Sequence, residues 1–493
     1  MDFLGKYFLK NKQEQRQKKV IAYLAALDHV IEQDPKIGHA IVQELKDQRN
    51  YLKLIASENF SSLTTQLAVG NLLTDKYSEG SVRKRFYAGC DNVDCVEELA
   101  NQRLKQLFGA GHAYVQPHSG ADANLVAFWA VLTQRIQNTK IAELGKKTVN
   151  ELTDSEHEMI RQAMLNQKLM GMSIDSGGHL THGFRMNVSA KFFHAVSYQV
   201  DPVTELLDYG ALAKQVKQEK PCILIGGYSS YPRLLNFAKL REIADSVGAV
   251  LMGDIAHFSG LVAGKVLTGE YDPVPYCDII SSTTHKTLRG PRGGLVMCKE
   301  ELKDSVDKGC PFILGGPLPH VIAAKAIAFE EALQPSFREY AKQVVVNAKA
   351  LAGVFLQEGI KLFTSGTDNH LIVIDVHKSF GLTGRQAETA LRQAHMTVNR
   401  NMVPFDKNGA WHTSGVRIGT PALTTLGMKE EQMREIGKLI IHVLKHTKLQ
   451  HATGVHEVQK ATAHVDHQAV VRAEGQVKDL LSAFPVYPEL TLD

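Results

Sequence analysis

The sequence predicts an α/β fold on a mostly parallel sheet, followed by a smaller α+β carboxy-terminal domain. Three observations carry this. Short apolar runs alternate with helical stretches from about residue 113 to residue 298. A loop dense in reactive side chains, Ser281 to Gly294, directly follows one of those runs. Past about residue 335 the composition shifts, and a long helix leads into a second set of strands. The 493 residues are 44% hydrophobic and 22% charged, with mean hydropathy −0.16, which excludes a disordered chain, a collagen repeat and a disulfide-stapled mini-protein.

Along the chain, residues 1–20 hold six basic and two acidic residues, which accounts for the whole net charge of +4 and leaves the rest formally neutral. A neutral body argues against a nucleic-acid-coating protein. Tyr7, Phe8 and Leu9 among lysines read as a solvated helical extension; no signal peptide is evident, and no run of about 18 apolar residues offers a membrane span. Six scattered cysteines with no C-x-x-C pair read as reduced thiols in a cytoplasmic protein. Residues 20–50 are helical and charged, and 56–90 are polar and glycine-punctuated. Val93, Val96, Ala100, Leu104 and Leu107 recur at spacings of three and four before Gly109, an amphipathic helix with its stop. Residues 134–170 carry eleven charges and no motif, which reads as a helical surface insertion.

Strands follow at Ile223–Ile225, Val250–Met252, Ile279–Ile280 and Gly293–Cys298, with a helix over Phe237–Ser246. Beyond 335 the pattern gives a long helix through Tyr340 and Ala348, a strand Leu371–Asp375 and a helix Gly384–Ala394. His451, His456, His464 and His467 are irregularly spaced in what reads as an exposed helix, and metal binding is not expected there. The division is an amino-terminal helical arm (1–55), a large domain (56–335) and a small domain (336–493).

Lys286 lies in Ser281-Ser282-Thr283-Thr284-His285-Lys286-Thr287-Leu288-Arg289-Gly290-Pro291-Arg292-Gly293-Gly294, just past an apolar strand, where α/β folds place their ligands. Neighbouring cations favour a neutral, nucleophilic amine, so the segment reads as a Schiff-base lysine or as a basic anion-binding loop. Asp254, at the end of the Val250 strand, is a metal ligand, a ribose ligand or a partner for a protonated ring nitrogen. The metal reading would recruit His257, His179 and His182. Against it, His179 and His182 sit in a glycine-bounded turn, and no H-E-x-x-H occurs. A nucleophilic lysine with an acid on a neighbouring strand suits pyridoxal phosphate. His118-Ser119-Gly120-Ala121-Asp122-Ala123-Asn124 opens a helix after a strand at Ala113–Gln116 and offers amides and a hydroxyl to a phosphate.

Seven motifs in order resemble serine hydroxymethyltransferases: Leu54-Ile55-Ala56-Ser57-Glu58-Asn59, Lys76-Tyr77-Ser78-Glu79-Gly80, Gly177 to Gly183, Asp254 to His257, Thr283 to Gly294, Thr367-Asp368-Asn369-His370-Leu371, and Thr413 to Pro421. The resemblance runs from about Tyr51 past Ala422, interrupted by 134–170. It implies a fold-type-I, aspartate-aminotransferase-like enzyme that uses pyridoxal phosphate to interconvert serine plus tetrahydrofolate with glycine plus methylenetetrahydrofolate. It further implies that Lys286 carries the cofactor covalently, Asp254 pairs with the ring nitrogen, His179 stacks on the ring, and Ser229 and His257 contact the phenolic oxygen. Ser119, Gly120, the Ala121 position and His285 would hold the phosphate, with Tyr77 and Gly316 from a second subunit. Arg417 and Ser57 would bind the substrate carboxylate. Glu79 would be the acid/base group, with Thr283, His285 and Tyr87 also catalytic, and Ile174, Gly178, His179, Leu180 and Asn401 would contact substrate or folate. The implied assembly is a homodimer or dimer of dimers with shared active sites, without nucleic acid or membrane partners and without metal.

Departures from that pattern are Ala121 in place of a phosphate-binding hydroxyl, Phe86 before Tyr87, Ser81-Val82-Arg83, and Cys310 to Leu314 before Gly315-Gly316. The changes around Phe86 and Leu314 motivate a second reading, a folate-independent aldolase or racemase on small amino acids, and the basic amino-terminal arm with the charged 134–170 segment motivates a third, a cofactor-binding scaffold without turnover. Taken singly, Asp254 as a strand-end cap, His179 as a core histidine, Tyr77 as packing and Arg417 as half of a salt bridge remain open.

Overall fold

The computed structural model describes residues 2–451 and 458–492. Seven strands form the main sheet: β1 (His112–Tyr114), β2 (Lys168–Met172), β3 (His194–Tyr198), β4 (Ile223–Gly227), β5 (Val250–Asp254), β6 (Ile279–Thr283) and β7 (Gly294–Cys298). Their spatial order is β1-β7-β6-β5-β4-β2-β3, and only β7 runs antiparallel to its neighbours. Strands β4 to β7 are buried at every position, as expected of a sheet covered on both faces. The expected α/β class is therefore present.

The apolar runs understate the strands. β6 continues through Ser281, Ser282 and Thr283, all buried, because their hydroxyls have partners: Ser281 donates to Asn124 Oδ1 and Thr283 to Ala256 O. β5 likewise runs on to Asp254. The helix read from residues 93–107 spans Asp91–Phe108, and Gly109 closes it in the left-handed region at φ 77°.

A second, three-stranded antiparallel sheet holds β8 (Leu371–Asp375), β9 (Asn399–Asn401) and β10 (Gly415–Gly419) in the order β8-β10-β9. Helix Pro335–Gln357 is shared: Phe337, Tyr340 and Val344 pack into the large core, Leu351 and Phe355 into the small one.

Four expectations are corrected. Residues 134–170 do not end as a surface insertion, because Lys168–Met170 begin β2 inside the main sheet; the charge of Lys168 hides a strand whose following residues are all buried. The basic segment of residues 1–20 is not a solvated extension. Phe3 and Tyr7 on one helix and Val20, Leu24, Leu27 and Ile31 on the next form one apolar cluster with Ala422, Val486, Leu490 and Leu492. The Arg49 guanidinium donates to the carbonyls of Val486, Tyr487 and Leu490, tying both ends of the chain together. Leu52 and Leu54 do not belong to the 1–55 arm but to the small-domain core, with Leu52–Lys53 paired to Met396–Thr397. Finally, His451 and His464 lie on strands Thr447–His451 and Val458–Val465 of a hairpin, and only His467 starts a helix. His456 lies outside the described residues.

The first helix, Phe3–Lys10, is held from across the arm: the Asp28 carboxylate accepts from Phe3 N–H at 3.0 Å and Leu4 N–H at 2.8 Å. Asp28→Ala removes an N-terminal cap worth about 1–2 kcal/mol. Limited proteolysis should then release residues 1–17 at lower protease concentration while the rest of the chain stays intact.

Candidate active site

The carboxyl ends of β2, β4, β5 and β6 open on one side of the sheet, and the loops that follow them carry most of the residues singled out above. Asp254, the last residue of β5, is buried, and its carboxylate is surrounded by donors. Oδ2 accepts from His182 Nε2 at 2.9 Å and from Asn124 Nδ2 at 3.0 Å, and Oδ1 accepts from Ala256 N–H at 3.2 Å. Burial alone would push this carboxyl up. The His182 and His179 rings and the Asn124 amide outweigh burial and hold it well below the usual carboxylate range. His182 Nδ1 accepts from His179 N–H at 3.3 Å, which leaves Nε2 as the proton-bearing nitrogen toward Asp254.

Lys286 lies three residues past the end of β6, the strand beside β5. Burial lowers its amine to about 8; Arg417 and Arg292 push in the same direction, and Asp254 opposes them. Its loop is rigid. Thr284 N–H donates to Gly293 O at 3.1 Å, Gly290 N–H to Thr284 O at 2.7 Å, and Asn59 Nδ2 to Lys286 O at 3.0 Å. Arg289, at φ 60°, stacks its guanidinium over the Tyr340 ring at 4.1 Å. His285 Nδ1 accepts from Gly293 N–H, and burial with the Arg292 charge takes the imidazole down to about 3.

His179 faces the same space. Thr181 N–H donates to its Nδ1 at 3.2 Å, and burial lowers it to about 4, with Lys286 and Arg417 also disfavouring its charge. His257 Nδ1 meets His370 Nε2 at 3.3 Å; burial holds His257 well below its ordinary value and His370 at about 3. Arg417, on β10, donates from Nη1 to Ser229 O at 2.6 Å and from Nε to Asn399 Oδ1 at 3.2 Å. Burial lowers it to about 10, and no carboxylate of the described residues pairs with it. A desolvated guanidinium without an anion is a carboxylate site in waiting, and the salt-bridge alternative for Arg417 has no partner here.

Ser119 caps helix Gly120–Leu132: its Oγ accepts from Asp122 N–H at 3.2 Å and donates to Asp122 Oδ2 at 2.9 Å. A Cβ on Gly120 would lie 2.6 Å from Thr283 Cγ2, so only glycine lets this helix start press against the end of β6. Ala121 is exposed beside it. Ser57, His285 and Arg292 line a cavity of about 580 Å³ together with Lys53 and Glu58. Ile174, His179 and Leu180 line another of about 830 Å³ with Met402, the neighbour of Asn401. Gly178 N–H donates to Ser173 O at 2.8 Å, and Asn401 Nδ2 to Met402 O at 2.6 Å.

The structure does not bring Tyr77, Glu79, Tyr87 or Gly316 to Lys286. Among the described residues no hydrogen bond or ion pair links these four to Lys286, Asp254 or Arg417. They form a separate surface unit. Tyr87 OH donates to Glu79 Oε2 at 3.3 Å, the Tyr77 and Tyr87 rings meet edge-on at 5.1 Å, and Gly316 O contacts His118 Nε2 at 3.1 Å. Desolvation and the Glu79 charge push the Tyr87 phenol up. Arg85 anchors the unit from below, donating to Ser78 O and Gly80 O and pairing with Asp94 and buried Glu97.

This donor set fits pyridoxal phosphate. An ionised buried carboxylate suits a protonated ring nitrogen, an amine lowered to about 8 suits covalent attachment, and the Ser119–Gly120 helix start suits a phosphate. Sequence reasoning missed Asn124 and His182 as the supports of Asp254, His370 as the partner of His257, and Asp122 on the Ser119 hydroxyl. Asn124 and His182 stood inside quoted motifs; only their place under β5 reveals the role.

The family model described as serine hydroxymethyltransferase matches residues 30–148 and 152–440, so within 134–170 only residues 149–151 fall outside it. Relatives named serine hydroxymethyltransferase include a protein of Treponema pallidum, 55% identical over 99% of this chain and 84% of its own length. One from Chlamydia trachomatis serovar D is 52% identical over 99% of this chain and 98% of its own. A third, from Mycolicibacterium smegmatis, is 53% identical over 96% of this chain and 95% of its own. With identity sustained along nearly the whole chain, and with Lys286, Asp254 and Arg417 gathered at one sheet edge, the chain belongs to the serine hydroxymethyltransferase family.

Proposed function

We propose a residue-level assignment for the family's reaction. The chain is a pyridoxal-phosphate-dependent glycine hydroxymethyltransferase of one-carbon metabolism that converts serine and tetrahydrofolate to glycine and methylenetetrahydrofolate, reversibly. The observation that carries the assignment is the pairing at adjacent strand ends of a lowered amine, Lys286, with a carboxylate, Asp254, held ionised by His182 and Asn124.

Lys286 binds the cofactor covalently. Asp254 holds the proton on its ring nitrogen, His179 covers the ring, Ser229 and His257 address its phenolic oxygen, and Ser119, Gly120 and His285 hold its phosphate. When bound, pyridoxal phosphate supplies an electron sink for the pair left on the serine α-carbon. Arg417 and Ser57 orient the substrate carboxylate, with the planar guanidinium taking both oxygens. Glu79, with Tyr87 beside it, moves protons at the hydroxymethyl oxygen and at folate, and Thr283 assists the exchange of Lys286 for the substrate amine. Ile174, Gly178, Leu180 and Asn401 line the folate side. His179, neutral well above its lowered value of about 4, presents an uncharged ring face at neutral pH.

Tyr77, Glu79, Tyr87 and Gly316 serve the site of a second copy. Their separation from Lys286 within one chain supports this, as does the exposure of Leu72, Tyr77, Phe86 and Phe312 around them. The protein is then a homodimer, or a dimer of dimers, with shared sites. Its compartment is the cytoplasm, a reading supported by six free cysteines; no described helix is long and apolar enough to cross a membrane.

Lys286→Ala should abolish folate-dependent glycine formation from serine, and Glu79→Gln should reduce it severely. Refolding equal amounts of these two variants together should restore about a quarter of wild-type turnover, because half the random dimers carry one intact site of two. A mixture as inactive as its components would place Glu79 and Lys286 in one chain's site. In cofactor-free protein, covalent capture of an added aldehyde by Lys286 should rise about tenfold per pH unit up to about 8 and then level off, since only the neutral amine attacks. Asp122→Asn, which removes a negative charge from the Ser119 hydroxyl, should tighten cofactor binding about two- to fivefold, the range expected for one charge at a helix end, in a spectrophotometric titration of the cofactor-free protein.

A further inference from the structure

Lys325 is a lysine in the wrong place. It lies mid-way along helix Pro319–Leu333, 1% exposed, on a face otherwise made of Ile322, Ala326 and Phe329. No carboxylate pairs with it among the described residues. Its Nζ donates instead to three backbone carbonyls, Val115 at 2.6 Å, Pro117 at 2.9 Å and Gly294 at 2.8 Å, which uses all three protons of an ammonium. A buried ammonium without an anion is costly, so the contacts must matter where they are made.

They are made directly beneath the Ser119–Gly120 helix start. Val115 and Pro117 lead from β1 into that loop, and Gly294 opens β7, whose N–H donates to Pro117 O at 2.9 Å. The gap the ammonium fills is kept open by glycine: a Cβ on Gly293 would lie 2.5 Å from Lys325 Cε, and one on Gly294 would lie 2.0 Å from Ser119 O. A methylene chain ending in carbon could fill the same volume but would leave Val115 O and Gly294 O without this donor. The charge also has the right sign: it lies behind a loop to which a phosphate brings negative charge, and Glu97 and Asp122 already oppose the burial that lowers it to about 7.

We propose that Lys325 is a positioning residue for the cofactor phosphate, its ammonium pinning the Val115–Pro117 backbone to Gly294 so that Ser119 and Gly120 form the phosphate cup. The proposal rests on the assignment of Ser119 and Gly120 to the phosphate. A residue acting only on the phosphate end must affect pyridoxal phosphate and spare pyridoxal, whereas general loosening of the fold weakens both.

The experiment titrates cofactor-free protein with pyridoxal phosphate and, separately, with pyridoxal, following visible absorbance. Lys325→Met should lose tenfold or more in affinity for pyridoxal phosphate with pyridoxal affinity unchanged. Equal losses for both, or unchanged affinity for pyridoxal phosphate, would overturn the proposal. Ser119→Ala distinguishes the underlying assignment. If wild type and Ser119→Ala show the same ratio of the two affinities, the cup itself is misassigned and the proposal goes with it. If Ser119→Ala lowers the ratio and Lys325→Met does not, only the role of Lys325 is refuted. Should Lys325→Met not fold, Lys325→Gln, which is uncharged and cannot supply three protons, decides by the same ratio: a fall supports the proposal and no fall overturns it.

Discussion

The carboxylate of Asp254 must remain ionised while buried, and much of the site follows from that constraint. A buried carboxylate prefers to take up a proton, so the fold surrounds it with donors: His182, Asn124 and the Ala256 amide. Hydrogen bonds to a charged group contribute about 1.5–3 kcal/mol each, enough in combination to reverse the effect of burial. Each donor is itself fixed. Asn124 also donates to Thr181 Oγ1 and accepts from Ser281, and His182 accepts from the His179 amide. One network thus ties helix Gly120–Leu132, the turn after β2 and the ends of β5 and β6 to a single charge.

That charge also organises the cations. Lys286 and Arg417 share one cleft, and the Arg417 charge disfavours the charged form of Lys286; Asp254 is the group that favours it. The result is an amine lowered far enough to react near neutral pH. Arg417 lacks such compensation, which leaves its guanidinium desolvated and without an anion, as the proposed carboxylate-binding role requires. The net charge of the chain plays no part in this. The surplus of positive charge lies in the first twenty residues, and those pack against the carboxy-terminal tail.

What the sequence made legible depended on where the information lies. The strand ends, Asp254, Lys286 and the Ser119 helix start were readable because each couples an apolar run to a polar residue at its boundary, a local pattern. The extent of β6 was not, because Ser281 and Thr283 look solvent-facing until Asn124 and Ala256 O supply partners from distant positions. The arm was misread for a related reason. Its apolar stripe is modest, and Val486 and Leu490, which cover it, lie at the other end of the chain. The start of β2 was hidden by one lysine, Lys168, whose charge escapes to Glu219 at the strand edge.

Two charges of opposite sign flank the Ser119 helix start, and on the proposed assignment of the phosphate to it their placement separates two tasks. Asp122 is on the open side, half-buried, and engages the Ser119 hydroxyl that a phosphate would use. Lys325 is on the closed side, wholly buried, and engages only backbone. A cation placed on the open side would bind phosphate directly, yet it would also hold the cup's own hydroxyl less specifically and attract any anion. On that proposal, a cation behind the backbone fixes the Val115, Pro117 and Gly294 carbonyls of the loop without facing the ligand. On that assignment the half-buried acid makes occupancy depend on displacing its hold on Ser119.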